Sequence, residues 1–151
     1  MREIPTLAAL KALIGQEVAV SAWFGIPQSR IDQFAEATDD HQWIHVDRER
    51  ATRESPYGDT VAHGFLTLSL LPAMLASALR MVDMKMGVNY GLNRVRFPGP
   101  VPVNSRVRGR LTLSSVHDLP DGGAQLTWDI VVEREGSDKP VCVAEFLMRR
   151  H

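Results

Sequence analysis

The chain has 151 residues, 44% hydrophobic and 23% charged, which suits one globular domain (1–151) with a sizeable core. Its formal net charge of −1 argues against a dedicated nucleic-acid surface, which needs a clustered basic excess. The single cysteine, Cys142, excludes an intrachain disulfide framework and fits a reducing cytoplasm; no apolar run reaches the roughly 20 residues of a membrane span, and Met1–Pro5 opens no apolar signal stretch.

Thr6 to Gly15 reads as a short helix, capped by Thr6, with Leu7, Leu10, Leu13 and Ile14 on one face and Gly15 as the stop. Residues 17–24 alternate, with Val18, Val20, Ala22 and Phe24 on one side of a strand that Gly25-Ile-Pro27 ends. Ser29 is placed to cap a second helix, with Asp32 three residues on and Ile31, Phe34, Ala35 and Thr38 facing inward. That helix delivers the chain into Asp39-Asp40-His41. A third, charged helix covers about 47–54.

From 61 to 82 almost no polar stripe remains, which predicts a buried central helix over about 63–82, kinked at Pro72. After Met84 the pattern is strand-like. Pro98-Gly-Pro-Val-Pro102 breaks it, and the turns at 121–123 and 135–140 divide the remainder into long alternating strands. Together with the early strand they make an antiparallel sheet wrapped around one long helix, an α+β architecture.

Asp40 and His45 are five residues apart across a turn, so their side chains can converge on one water and divide proton delivery and removal beside a carbonyl. The competing reading is a turn-tying aspartate and a buried structural histidine. Gly64 follows His63 at the head of the buried helix, where first-turn N–H groups lack helical partners and a ligand oxygen can approach bare backbone. A thioester carbonyl becoming enolate-like suits that position, and so does a glycine needed only for the turn. His63 either orients this loop or meets substrate. Tyr57 either borders a pocket or covers the core. His41 and His45 form His-x-x-x-His, but the turn-forming Asp39-Asp40 and the lack of an intervening Glu argue against a metal site. The Arg106/Arg108/Arg110 comb reads first as a solvated sheet face, and Cys142 as a small core residue.

Ala37-Thr-Asp-Asp40-His-Gln-Trp-Ile-His45-Val-Asp47 resembles the signature of MaoC-like dehydratases and (R)-specific enoyl-CoA hydratases, roughly Ser/Thr-Gly-Asp-x-Asn-Pro-aliphatic-His. Val61-Ala-His-Gly-Phe-Leu66 is similar to the second landmark of that family, and Asn89 to Phe97 with Pro100-Val-Pro102 to the third. The likeness spans roughly residues 17–150, and the Gln-Trp variant resembles the branch named after nodulation protein N. The resemblance implies a hot-dog fold, usually a homodimer joined sheet edge to sheet edge. It also implies Asp40 and His45 as the catalytic pair and Gly64 as the oxyanion donor; Gln42, Tyr57, His63 and Phe65 are the expected substrate-binding residues. Two positions depart from the signature. Asp39 replaces the usual Gly, adding a carboxylate that either raises the Asp40 pKa or points to solvent, and Gln42-Trp43 replaces Asn-Pro.

The expected activity is reversible hydration of a trans-2-enoyl thioester to a (3R)-hydroxyacyl thioester. It needs no cofactor or metal beyond the coenzyme A or acyl-carrier pantetheine that the substrate carries, and its acyl tunnel runs beside the central helix around Phe65 and Leu68. A hot-dog thioesterase is the first alternative, weakened because 65–82 carry no acid before Val82. A non-catalytic acyl-thioester-binding module is the second.

Overall fold

The computed structural model describes residues 1–151. Its sheet has the order β2–β6–β7–β8–β5, where β2 is Glu17–Val20, β5 Gly87–Arg96, β6 Ser105–Asp118, β7 Ala124–Arg134 and β8 Cys142–Arg150; β3, Phe24–Ile26, also pairs with β6. Every pairing in this sheet is antiparallel. The period-2 pattern explains its faces: Val107, Leu111, Leu113, Leu126, Trp128 and Ile130 are buried on the concave side.

Against that side lies the apolar stretch, in two helices rather than one: α5, Gly64–Ser69, and α6, Leu71–Ala78. The break falls at Leu70, so Pro72 occupies the first turn of α6, where its missing N–H leaves no gap in the ladder. The helix also stops earlier than 82. Leu79–Met81 form β4, which pairs in parallel with β1, Arg2–Ile4. Met74 packs over Gly109, where an added Cβ would lie 3.1 Å from its sulfur, so this glycine sets how closely helix and sheet approach.

The remaining helices are α1 (Leu7–Lys11), α2 (Gln28–Thr38), α3 (Trp43–Val46) and α4 (Arg48–Glu54). Thr6 caps α1 by accepting from the Ala9 N–H, and Asp47 caps α4 by accepting from the Arg50 N–H. The expected Ser29 cap gives way to Pro27, whose extended backbone starts α2 two residues sooner. The early strand is split at Ser21–Trp23, where Ser21 Oγ accepts from Gly109 N–H at 2.9 Å. No helix is long and apolar enough to cross a membrane.

Candidate active site

Helix α2 ends on Asp39, whose φ of 59° is the left-handed turn that redirects the chain into Asp40-His41-Gln42. The short α3 then brings His45 inward. Opposite it, Thr60–Ala62 runs as an extended rung. Val61 N–H donates to Ile44 O at 3.0 Å, Ala62 N–H to Val101 O at 2.8 Å, and Val103 N–H to Thr60 O at 3.0 Å. The rung is thus pinned on both sides, and it presents the Val61 carbonyl to His45 Nδ1 at 2.6 Å. A carbonyl only accepts, so Nδ1 carries the proton and Nε2 keeps its lone pair.

His45 is 8% exposed. Burial lowers its pKa below the ordinary 6.5; the hydrogen bond to Val61 opposes that, His63 lowers it further, and Asp40 pulls it back up. Its own carbonyl accepts from Gln28 Nε2 at 2.7 Å, while Gln28 Oε1 accepts from the buried Thr60 hydroxyl at 2.5 Å. Sequence reasoning missed Gln28 and Thr60. Neither sits in a motif, and only the fold shows that they bridge α2, α3 and the rung.

Asp40, His45 and His63 each place one ligating atom within 4.8 Å of the others. The His63 and His45 rings stack, with centroids 3.8 Å apart and planes at 25°. His63 Nε2 donates to the backbone carbonyl of Asp40 at 2.9 Å, and the Phe34 ring tilts against the His63 ring with centroids 4.9 Å apart. The Asp40 carboxylate is exposed and accepts a long bond, 3.4 Å, from the Gln42 N–H. Gln42 therefore contributes through its backbone: its carbonyl also receives the His45 N–H at 2.9 Å.

Gly64 begins α5 immediately after His63, and its N–H donates to no group of the chain. The Phe97 ring lies directly over it, 3.0 Å from where a Cβ would stand. Gly64, Thr67, Tyr57 and Phe97 wall a cavity of about 250 Å³. A second, of about 300 Å³, lies between Leu68, Leu71, Tyr90 and Leu92. A third, of about 470 Å³, lies among Leu75, Leu79, Met81, Met84 and Met148. The second and third share Pro72, Asn89 and Phe146, so a groove runs between the helices and β5. Phe65 stands outside it, 66% exposed and edge-on to Phe97 at 6.0 Å.

For a metal, only Asp40, His45 and His63 converge. His41 turns away onto Glu36 at 2.7 Å, so the His-x-x-x-His spacing brings no two ligands together. The arginine comb is neutralised: Arg106 pairs with Glu135, Arg108 with Glu133 and Arg110 with Glu17, and Trp23 lies under Arg106 and Arg108. Trp43 packs beneath Arg50 at 4.3 Å.

The family model described as MaoC like domain matches residues 9–129. The chain belongs to the MaoC-like family. This MaoC-like protein is 50% identical over 149 residues to 3-hydroxyacyl-thioester dehydratase Z of Mycobacterium tuberculosis (strain ATCC 25618 / H37Rv), covering 99% of this chain and 98% of that one. It is 48% identical over 143 residues to nodulation protein N of Rhizobium leguminosarum bv. viciae, covering 94% and 89%. Its fold matches an (R)-hydratase from A. caviae involved in PHA biosynthesis with a TM-score of 0.65, at 22% identity and over 89% and 96% of the two chains. The fold is the hot-dog, an antiparallel sheet around its helix, as the sequence landmarks implied. The MaoC-like chain is a hydro-lyase.

Proposed function

We propose that this hydro-lyase is an (R)-specific enoyl-thioester hydratase, adding water reversibly across the C2=C3 bond of a trans-2-enoyl thioester to give the (3R)-hydroxyacyl thioester. The observation that carries the reading is the pair itself. His45 has Nδ1–H committed to Val61 O, leaving Nε2 as a buried proton acceptor, and a carboxylate atom of Asp40 lies within 4.8 Å.

In the hydration direction one water is held by His45 and Asp40. Its oxygen bonds to C3, the C2=C3 electron pair moves toward the thioester carbonyl, and the proton taken by the pair is returned to C2. Negative charge that builds on the thioester oxygen meets the unpartnered Gly64 N–H at the head of α5. The acyl chain would extend from Gly64 past α5 into the groove between Leu68 and Met84. Tyr57 borders the entrance. Coenzyme A or acyl-carrier pantetheine arrives with the substrate, so no separate cofactor enters the step.

A homodimer fits the sheet. The edge strand β5 leaves one side unpaired, and Val88, Tyr90 and Leu92 on it are each at least 40% exposed, a combination that free proteins seldom leave uncovered. Two copies would join β5 to β5 about a twofold axis. Sedimentation should give a dimer, and a monomer that is fully active would overturn that part.

The function is tested by following loss of enoyl-thioester absorbance with crotonyl-CoA, with chiral analysis of the product. Asp40→Asn and His45→Gln should each lower kcat by about 10²–10⁴-fold. Unchanged turnover in both would sink the assignment.

A further inference from the structure

We propose that His63 is the positioning residue of this site, holding the acid and the base of the pair in register through one imidazole. The inference rests on the hydratase reading. It comes from two contacts that meet on a ring with 3% exposure. On one edge, Nε2–H holds the Asp40 carbonyl at 2.9 Å. Across its face, the ring covers His45 at 3.8 Å.

The two contacts do different things. Asp40 follows a left-handed residue in an exposed turn, and its own carboxylate has only the 3.4 Å bond from Gln42 N–H. The His63 bond ties that turn to the head of α5, while the Gln42 carbonyl ties its far end to the His45 N–H. The stacked face, in turn, covers one side of His45 and shields it from bulk solvent. Burial is the largest cause of the low His45 pKa, and the titratable groups that act on the ring are His63 and Asp40. A wall of imidazole therefore helps keep His45 an unprotonated acceptor at neutral pH. The remaining His63 nitrogen, Nδ1, is buried and has no hydrogen-bond partner. Such a group is costly to retain for packing alone, since an apolar ring of the same shape would avoid the penalty.

Two substitutions separate the contacts. His63→Phe keeps the wall and removes the donor. His63→Gln keeps a donor near the Nε2 position and thins the wall. With crotonyl-CoA, the Phe variant should lose kcat by about 10²-fold, the cost of an ångström-scale misplacement, with KM little changed and the acid limb of the pH profile moving up less than in the Gln variant, because the wall stays while the His63 charge is lost. The Gln variant should retain more of kcat, while its acid limb moves up toward the ordinary histidine value of 6.5. The imidazole resonances of His45, followed by NMR, should show the same upward shift in His63→Gln without any turnover. Folded variants with wild-type kcat and an unmoved His45 titration would make His63 a packing residue and overturn the proposal. If the Phe variant does not fold, the His45 titration in the Gln variant decides alone. Absence of crotonyl-CoA hydration by the wild-type protein, in contrast, would count against the hydratase reading and leave the NMR arm standing.

Discussion

Gly64→Ala separates the oxyanion role proposed for this residue from its packing. An alanine Cβ would lie 3.0 Å from Cγ and Cδ2 of Phe97 and 3.2 Å from Cδ1. Carbon contacts are comfortable from about 3.5 Å, so the ring must retreat by roughly half an ångström. Phe97 is 40% exposed and has solvent to move into. The strain should therefore sit near the low end of the roughly 1–3 kcal/mol that overpacking costs. Against it stands helix propensity, which favours alanine over glycine by up to about 1 kcal/mol. The two effects nearly cancel, and Tm should move by no more than roughly 4 °C. Catalysis has no such compensation. The methyl group stands beside the N–H that the thioester oxygen needs, and the displaced ring narrows the cavity of about 250 Å³. Removing one oxyanion donor lowers kcat by about 10²–10³-fold, and partial obstruction should approach the lower figure. The assay is kcat/KM for crotonyl-CoA beside a thermal melt, for Gly64→Ala and for Gly64→Ala with Phe97→Ala. Removing the ring should recover the part of the loss caused by crowding. A single variant with normal melting and kcat/KM within about threefold of wild type would refute the close approach of the thioester oxygen to Gly64 on which the loss is reckoned.

Three further outcomes follow from the geometry. Because burial, countered by the Val61 bond, puts the His45 pKa below 6.5, the acid limb of kcat/KM should lie below that value. The sign carries over to stability: an unfolded chain binds this proton more readily, so stability falls as pH drops below 6.5, and Asp40→Asn should lower the His45 titration further, which NMR reads. Leu75→Trp should fill part of the cavity of about 470 Å³ and cut turnover of long enoyl chains at least about tenfold while leaving crotonyl-CoA unaffected; an unchanged chain-length profile would remove the groove from the acyl path. Asp39→Gly should preserve activity and raise stability by up to about 1 kcal/mol, whereas Asp39→Ala should lower it, because φ is 59° there; loss of hydration in the glycine variant would show that the Asp39 carboxylate matters.

The sheet and the buried helix were legible because burial imposes strict periods. Val107, Leu111 and Leu113 alternate with Arg106, Arg108, Arg110 and Thr112, and 63–78 lacks a polar stripe. Helix ends were less so. Leu79 and Met81 are apolar whether they continue α6 or pair with Arg2–Ile4, so composition cannot tell the two apart. Pro72 announced a break but not that the break would fall at Leu70 and make the proline a first-turn residue. At the site, the spacing of Asp40 and His45 was readable because both lie on one short turn. The acceptor for His45 was not, since Val61 contributes only a carbonyl, 16 residues away. The stacking of His63 on His45 depends on how two loops register, and no local pattern records it.

That reliance on main chain explains how the signature tolerates its two departures. The Val61 carbonyl orients His45, the Asp40 carbonyl receives His63, and the His45 carbonyl receives Gln28. None of these acceptors depends on which side chain the residue bears. What must be kept is the path of the backbone. Asp39 keeps it because aspartate is among the few non-glycine residues that enter the left-handed region readily. Gln42 and Trp43 keep it differently: the Gln42 carbonyl closes the first turn of α3 on the His45 N–H, and the Trp43 carbonyl accepts from the Asp47 N–H. One hydrogen-bonded helical turn thus holds the chain where the signature has Asn-Pro, with Asp40 and His45 five residues apart.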